Sequence, residues 1–201
     1  MSYESFTIEA IEKDFAVTIQ SQKDLFSEIS SIEPSERLTS LLEDLTPLAS
    51  AIGTEKARSE FIIAPILAEI KKRLGNQVSL FSGTRFDVDK EKGLNGFCDF
   101  MFSLSSNQLS LSAPVIAVVE AKNDNINSGF GQCMAEMVAA QLYNQQQQKP
   151  LKVVYGCVTT GSIWRFMQLV DDVIYVDTQE YYLDSVSKIL GIFIADLQIQ
   201  N

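Results

Sequence analysis

Histidine is absent from the 201 residues. That removes Ser-His-Asp and Cys-His catalysis and every histidine-ligated metal site at once. Any general acid, base or metal ligand must be a carboxylate, a lysine, a tyrosine or a backbone oxygen, a set that favours hard cations such as Mg²⁺ or Mn²⁺. Cysteine is scarce. Cys98, Cys133 and Cys157 are odd in number, widely spaced and embedded in apolar sequence, which points to buried reduced thiols rather than a disulfide framework or a zinc site. No apolar run approaches the ~18 residues of a membrane span. Residues Met1 to Ser5 carry neither the basic region nor the apolar stretch of a secretory signal, so an intracellular, cytoplasmic protein without membrane association is expected. Basic residues are in deficit as well, 16 against 26 acidic ones, for a net charge of −10. Such a charge repels nucleic acid at long range and leaves DNA binding to a local basic groove, for which Lys71, Lys72, Arg73, Arg85 and Arg165 are candidates.

What is present is the composition of a globular chain, 46% hydrophobic and 21% charged, at a length that suits one domain. Residues 1–53 read as an N-terminal helical extension packed on a core of residues 54–201. Phe6 to Gln20 has a rough helix-to-strand pattern. Leu38, Leu41, Leu42, Leu45 and Leu48 recur at helical spacing from about Pro34 until Thr46-Pro47 ends or kinks the helix. This leucine stripe suits core packing or a homodimer surface. A second helix starts with Thr54 as N-cap and Glu55 at the positive end of its dipole, carries Pro65 inside it, and stops at Gly75. Glu60 falls on the apolar stripe of Ile63, Leu67, Ile70 and Leu74.

From Val78 the period changes to two. Val78 to Phe81 and Arg85 to Val88 predict a bent strand or hairpin across Ser82-Gly83-Thr84, with a turn at Asp89 to Gly93. In the strand Leu94 to Leu104, alternation places Phe97, Asp99, Met101 and Ser103 on one face and Cys98, Phe100, Phe102 and Leu104 on the other. Val115 to Lys122 is a β-branched run that ends in charge, with Ile116, Val118, Glu120 and Lys122 sharing a face. A carboxylate and an ammonium at the end of a buried strand are costly without a partner or a purpose. A helix from Phe130 to about Gln145 sets Gln132, Glu136, Ala139 and Tyr143 on one stripe. A strand over Val153 to Val158, a hairpin of Ser162 to Val170 with Val173 to Val176, and a closing helix from Tyr182 to Leu197 complete the order.

Helix, strands, a strand ending Glu120-Ala121-Lys122, helix and strand, with Asp99 one strand earlier, resembles the PD-(D/E)xK or restriction-endonuclease-like superfamily over residues 54 to 160. It is similar to the N-terminal nuclease domains of type I restriction motor subunits and to small cyanobacterial relatives. The spelling is weak, because Glu69-Ile70-Lys71 also fits; strand context selects the later copy. The resemblance implies an α/β (α+β) fold with a central mixed sheet flanked by helices. It further implies a Mg²⁺-dependent DNA nuclease: Asp99, Glu120 and the Ala121 carbonyl as metal ligands, Lys122 as the catalytic lysine, Glu60 at a second or water-mediated ion, and Gln132 as the site glutamine. Cys98 stands where the family has proline, and Glu136 where one branch has tyrosine. Two carboxylates about 4 Å apart repel by roughly 4 kcal/mol at an effective dielectric of about 20, so Asp99 and Glu120 need a cation or a shared proton. The alternative is a catalytically inactive scaffold of this fold or a regulatory protein-interaction module; the partners expected are DNA and a second copy, as a homodimer, or a partner subunit.

Overall fold

The computed structural model describes residues 2–198. Among them, eight strands form one mixed sheet. The strands are β1 (Thr18–Lys23), β2 (Ser79–Arg85), β3 (Phe97–Ser103), β4 (Val115–Ala121), β5 (Val153–Thr159), β6 (Ile163–Val170), β7 (Val173–Asp177) and β8 (Tyr181–Tyr182). Their order is β1-β7-β6-β5-β4-β3-β2, with β8 on β6. β4 and β5 are parallel, as are β1 and β7, and the other pairs are antiparallel. The helices are α1 (Ile8–Phe15), α2 (Glu36–Ile52), α3 (Glu55–Arg58), α4 (Ala64–Leu74), α5 (Phe130–Gln146) and α6 (Val186–Gln198). One core lies between the sheet and α2, α4 and α6, and a second between the sheet and α1 and α5. The chain is therefore an α+β protein with helices on both faces of a mixed sheet.

β4 is buried along its whole length, as its unbroken apolar run requires of a strand covered on both faces. Its connection to the parallel β5 is the crossover helix α5. From Phe130 to Ala140 every residue of α5 is buried, the polar stripe of Gln132 and Glu136 included. The N-terminal segment is the cause. α1 packs on α5, and Gly131 lies so close under it that a Cβ there would stand 2.2 Å from the Phe6 carbonyl oxygen.

Residues 1–53 are accordingly more than a helical addition. β1 pairs with β7 and closes one edge of the sheet. Past it, the segment is pinned to α6 by the Lys188 ammonium on the carbonyls of Phe26 and Ile29, and by the Ile32 N–H on the Ser187 carbonyl. α2 begins one residue after the Ser35 cap and runs through Pro47 to the left-handed Gly53, so Pro47 does not end it. The closing helix starts at Val186, after β8 and a 3₁₀ turn have used Tyr181 to Ser185. The three cysteines are buried and free.

Two expected side-chain phases are shifted. β3 residue Phe102 pairs with Ala117 and Ser103 with Val115, so Ile116 is the extra residue of a bulge and joins the α4 side, away from Val118 and Glu120. Cys98 sits in the α5-side core with Met101, whereas Phe100 and Phe102 face α4. The twist between Cys98 and Phe100 lies opposite Gly83, whose φ is +58°. β2 itself runs unbroken through Ser82-Gly83-Thr84, and the hairpin tip is the predicted turn at Asp89 to Gly93.

Asp196 on α6 is buried, and desolvation raises its pKa well above the ordinary range. The unfolded chain ionises it near its usual value while the folded chain keeps the proton, so stability from this group is complete at low pH and falls as pH rises. Asp196→Asn is expected to be more stable than the parent by a margin that grows by up to about 1.4 kcal/mol per pH unit above about pH 4. Urea unfolding of both proteins at several pH values measures it, and a constant margin would contradict the account.

Candidate functional site

The β3–β4 ladder ends at the pair Phe100–Val119. One step further Asp99 stands across from Glu120, and its Oδ2 takes the Ala121 N–H at 2.8 Å, a side chain filling the place of the next backbone acceptor. Asp99 and Glu120 are also close enough for their charges to repel. Past the end of β4, the Lys122 N–H is held by the Thr159 carbonyl, which fixes where its side chain starts.

From there a polar chain runs inward to α5. The Lys122 ammonium donates to Glu120 Oε1 at 2.5 Å and to Gln132 Oε1 at 3.3 Å, and Gln132 Nε2 donates to Glu136 Oε1 at 3.2 Å. Gly129, at the approach to α5, leaves the lysine its room: a Cβ there would meet the Lys122 stem at 3.1 Å and Val158 at 2.5 Å. Glu136 is fully buried and acts electrostatically on Cys98, Cys133 and Tyr3. The Tyr3 hydroxyl donates instead to the Phe86 carbonyl.

Burial sets the charges. Glu120 is 1% exposed, and desolvation, then repulsion from Asp99, push its pKa up to about 8 against the pull of Lys122. Asp99 is raised for the same first reason, with the Ala121 N–H and Lys122 opposing. Desolvation and Glu120 raise Glu136 well above the carboxylate range. Lys122 is pulled down by burial, but the Glu120 carboxylate outweighs this and its pKa rises. One ammonium does not balance three buried acids, so protons make up the rest of the charge balance.

Asp99, Glu120, Lys122 and Gln132 are thus brought together. Glu60 is not: its side chain is 53% exposed and pairs with Lys56 at 2.7 Å. The reason is local. Between α3 and α4 the helix makes a π turn over Ser59–Ile63, with the Ala64 N–H on the Ser59 carbonyl, just before Pro65, which has no N–H to continue an α ladder. The wider turn takes Glu60 out of phase with Ile63 and Leu67. Glu55, expected only to complement the helix dipole, lines a hollow with Lys56, Ser59, Ser82, Gly83, Asp99 and Ala121, and its charge reaches Glu120 and Lys122. Arg58, three residues on, was not picked out by its sequence pattern; its guanidinium meets the Thr160 carbonyl at 3.4 Å and the Ser162 hydroxyl at 3.3 Å, beside the β5 end that holds Lys122. Pro65 in a helical pattern is the one sequence signal that could have exposed this change of phase. Of the other cations, Arg73 is bound to Glu69 and Arg165 to Glu180 and the Asp177 carbonyl.

The oxygen set suits a hard cation. Glu120 Oε2 is buried with no hydrogen-bond partner, and Asp99 and the Ala121 backbone border the same hollow. Among the described residues no three His, Cys, Asp or Glu side chains converge to hold an ion, so a cation here would depend on a backbone oxygen and water. No protein-family model matches the chain, and no curated protein matches it.

Among the described residues Lys122 is the only cation bonded to Glu120. In metal-free protein Lys122→Met is expected to cost about 2 kcal/mol at pH 9.5, well above the Glu120 pKa of about 8, where the parent ionises Glu120 in the fold and the variant, without the ammonium, keeps its proton. At pH 4.5 the loss should be small because Glu120 carries a proton in the fold. Urea unfolding at the two pH values is the check, and an equal loss at both would show that Lys122 acts through packing alone.

Proposed function

We propose that this chain is a metal-dependent nuclease of the restriction-endonuclease-like fold that hydrolyses DNA phosphodiester bonds. The observation that carries the reading is the meeting of Asp99, Glu120 and Lys122 at the ends of two adjacent strands, with the free Glu120 oxygen beside them. Asp99, Glu120 and the Ala121 carbonyl would hold Mg²⁺ or Mn²⁺. When bound, such an ion neutralises the phosphate and lowers the pKa of an attacking water. Lys122 holds Glu120 in place and presents its remaining proton-bearing face to that water. Gln132 fixes the direction of the Lys122 ammonium from the α5 side, and Glu136 fixes Gln132 in turn. Asp99 is oriented by the Ala121 N–H, so its second oxygen is left for a ligand. The buried carboxylates give up protons when a cation enters, so affinity for Mg²⁺ should rise with pH.

The net charge of −10 favours a second reading, an idle scaffold whose acidic surface meets another protein or a second copy. Titration calorimetry with Mg²⁺ and incubation with plasmid and short duplexes separate the two. The nuclease reading expects metal-dependent nicking that drops by at least about 100-fold in Asp99→Ala and Lys122→Ala. Cleavage that persists in Lys122→Ala would remove the role given to the lysine; no metal uptake and no cleavage would leave the scaffold.

A further inference from the structure

Phe97 begins β3, two residues before Asp99, and is 61% exposed. Of the exposed large apolar side chains among the described residues, it is the one on the strand that carries the candidate site. Gly96 and Cys98 on either side of it face Tyr3 and the α5 core: a Cβ on Gly96 would touch the Tyr3 ring at 3.1 Å, and Cys98 is buried with Tyr3. Phe97 therefore points the other way, toward the face on which Asp99 lines the hollow with Ser82, Gly83 and Ala121. Along a strand the two residues are about 7 Å apart, the separation of neighbouring nucleotides on an extended strand.

Arg85 is the cross-strand partner of Phe97, and its guanidinium carbon lies 5.8 Å from the ring centroid. Asp87 holds Arg85 from behind at 3.0 Å, and Lys56 on the far side of the hollow is paired with Glu60. Phe97 thus offers an exposed aromatic ring flanked by a cation, but the positive charge nearby is largely neutralised within the protein. Duplex binding depends on phosphate neutralisation over many base pairs, and this acidic chain offers little of it. Stacking of an unpaired base on an aromatic ring beside an arginine adds a contribution that a duplex, whose bases are already stacked on one another, does not gain.

Resting on the nuclease reading, we propose that Phe97 and Arg85 form a stacking platform for an unpaired base, so that the DNA delivered to Asp99 is single-stranded or has a single-stranded end. The platform is read directly by fluorescence. Trp164 is fully buried and gives a constant background, so Phe97→Trp places a reporter on the platform. With EDTA present to prevent cleavage, an oligothymidylate of about 12 nucleotides should quench the Phe97→Trp emission. Phe97→Ala should weaken binding of that oligonucleotide about tenfold, Phe97→Tyr should restore it, and affinity for a blunt duplex should not change. Unquenched emission, or equal losses for duplex and single strand in Phe97→Ala, overturns the platform, as does self-association abolished by Phe97→Ala. Cleavage that needs Asp99 but is indifferent to Phe97→Ala removes the platform alone. Quenching without metal-dependent cleavage keeps the platform as a DNA-binding site and removes the nuclease reading.

Discussion

The working end of this sheet depends on how a carboxylate with almost no solvent contact is kept in balance. Glu120 has Asp99 across the ladder, Lys122 two residues on and Glu136 beneath it. Desolvation and like charge drive its proton on, and a single ammonium pulls it off. That competition explains why Lys122 is anchored twice, by its backbone on β5 and by Gln132 on α5. It leaves the second carboxylate oxygen of Glu120 buried without a hydrogen-bond partner.

The position of these groups rests on irregularities in otherwise regular elements. A bulge at Ile116 lets β4 keep Val118 and Glu120 in phase toward α5 while Ile116 fills the opposite core. A twist opposite Gly83 brings Asp99 to the end of the ladder, where its carboxylate reaches Glu120, the Ala121 N–H and the hollow. The π turn before Pro65 sends Glu60 into solvent and brings Glu55 to the hollow. The bulge and the π turn each interrupt the regular hydrogen bonding of their element.

Much of the architecture was legible in the chain. β4, β5, the β6–β7 hairpin and α5 follow from apolar runs and turn residues, and Thr54 and Gly75 bound the helix that contains Pro65. The convergence of Asp99, Glu120, Lys122 and Gln132 was implied by the resemblance that their order on successive elements carries, which placed Glu60 with them. Glu60 was misplaced because helical phase was carried through a turn that is not α-helical. The part played by residues 1–53 was underestimated because a strand such as Thr18–Lys23, with five of its six residues exposed, has hardly any apolar alternation to betray it.

By itself the sequence determined the chemistry on offer. Without histidine and with isolated thiols, only oxygen ligands and a lysine remain, and Glu120-Ala121-Lys122 sets two of these groups at the end of an apolar strand. Tertiary structure decided which carboxylates meet, which cations stay uncommitted, and that Glu136 and Gln132 lie in the interior under an N-terminal cover. These outcomes depend on burial and on one-residue shifts in phase, and both arise from contacts between segments far apart in the chain, which no local pattern of residue types contains.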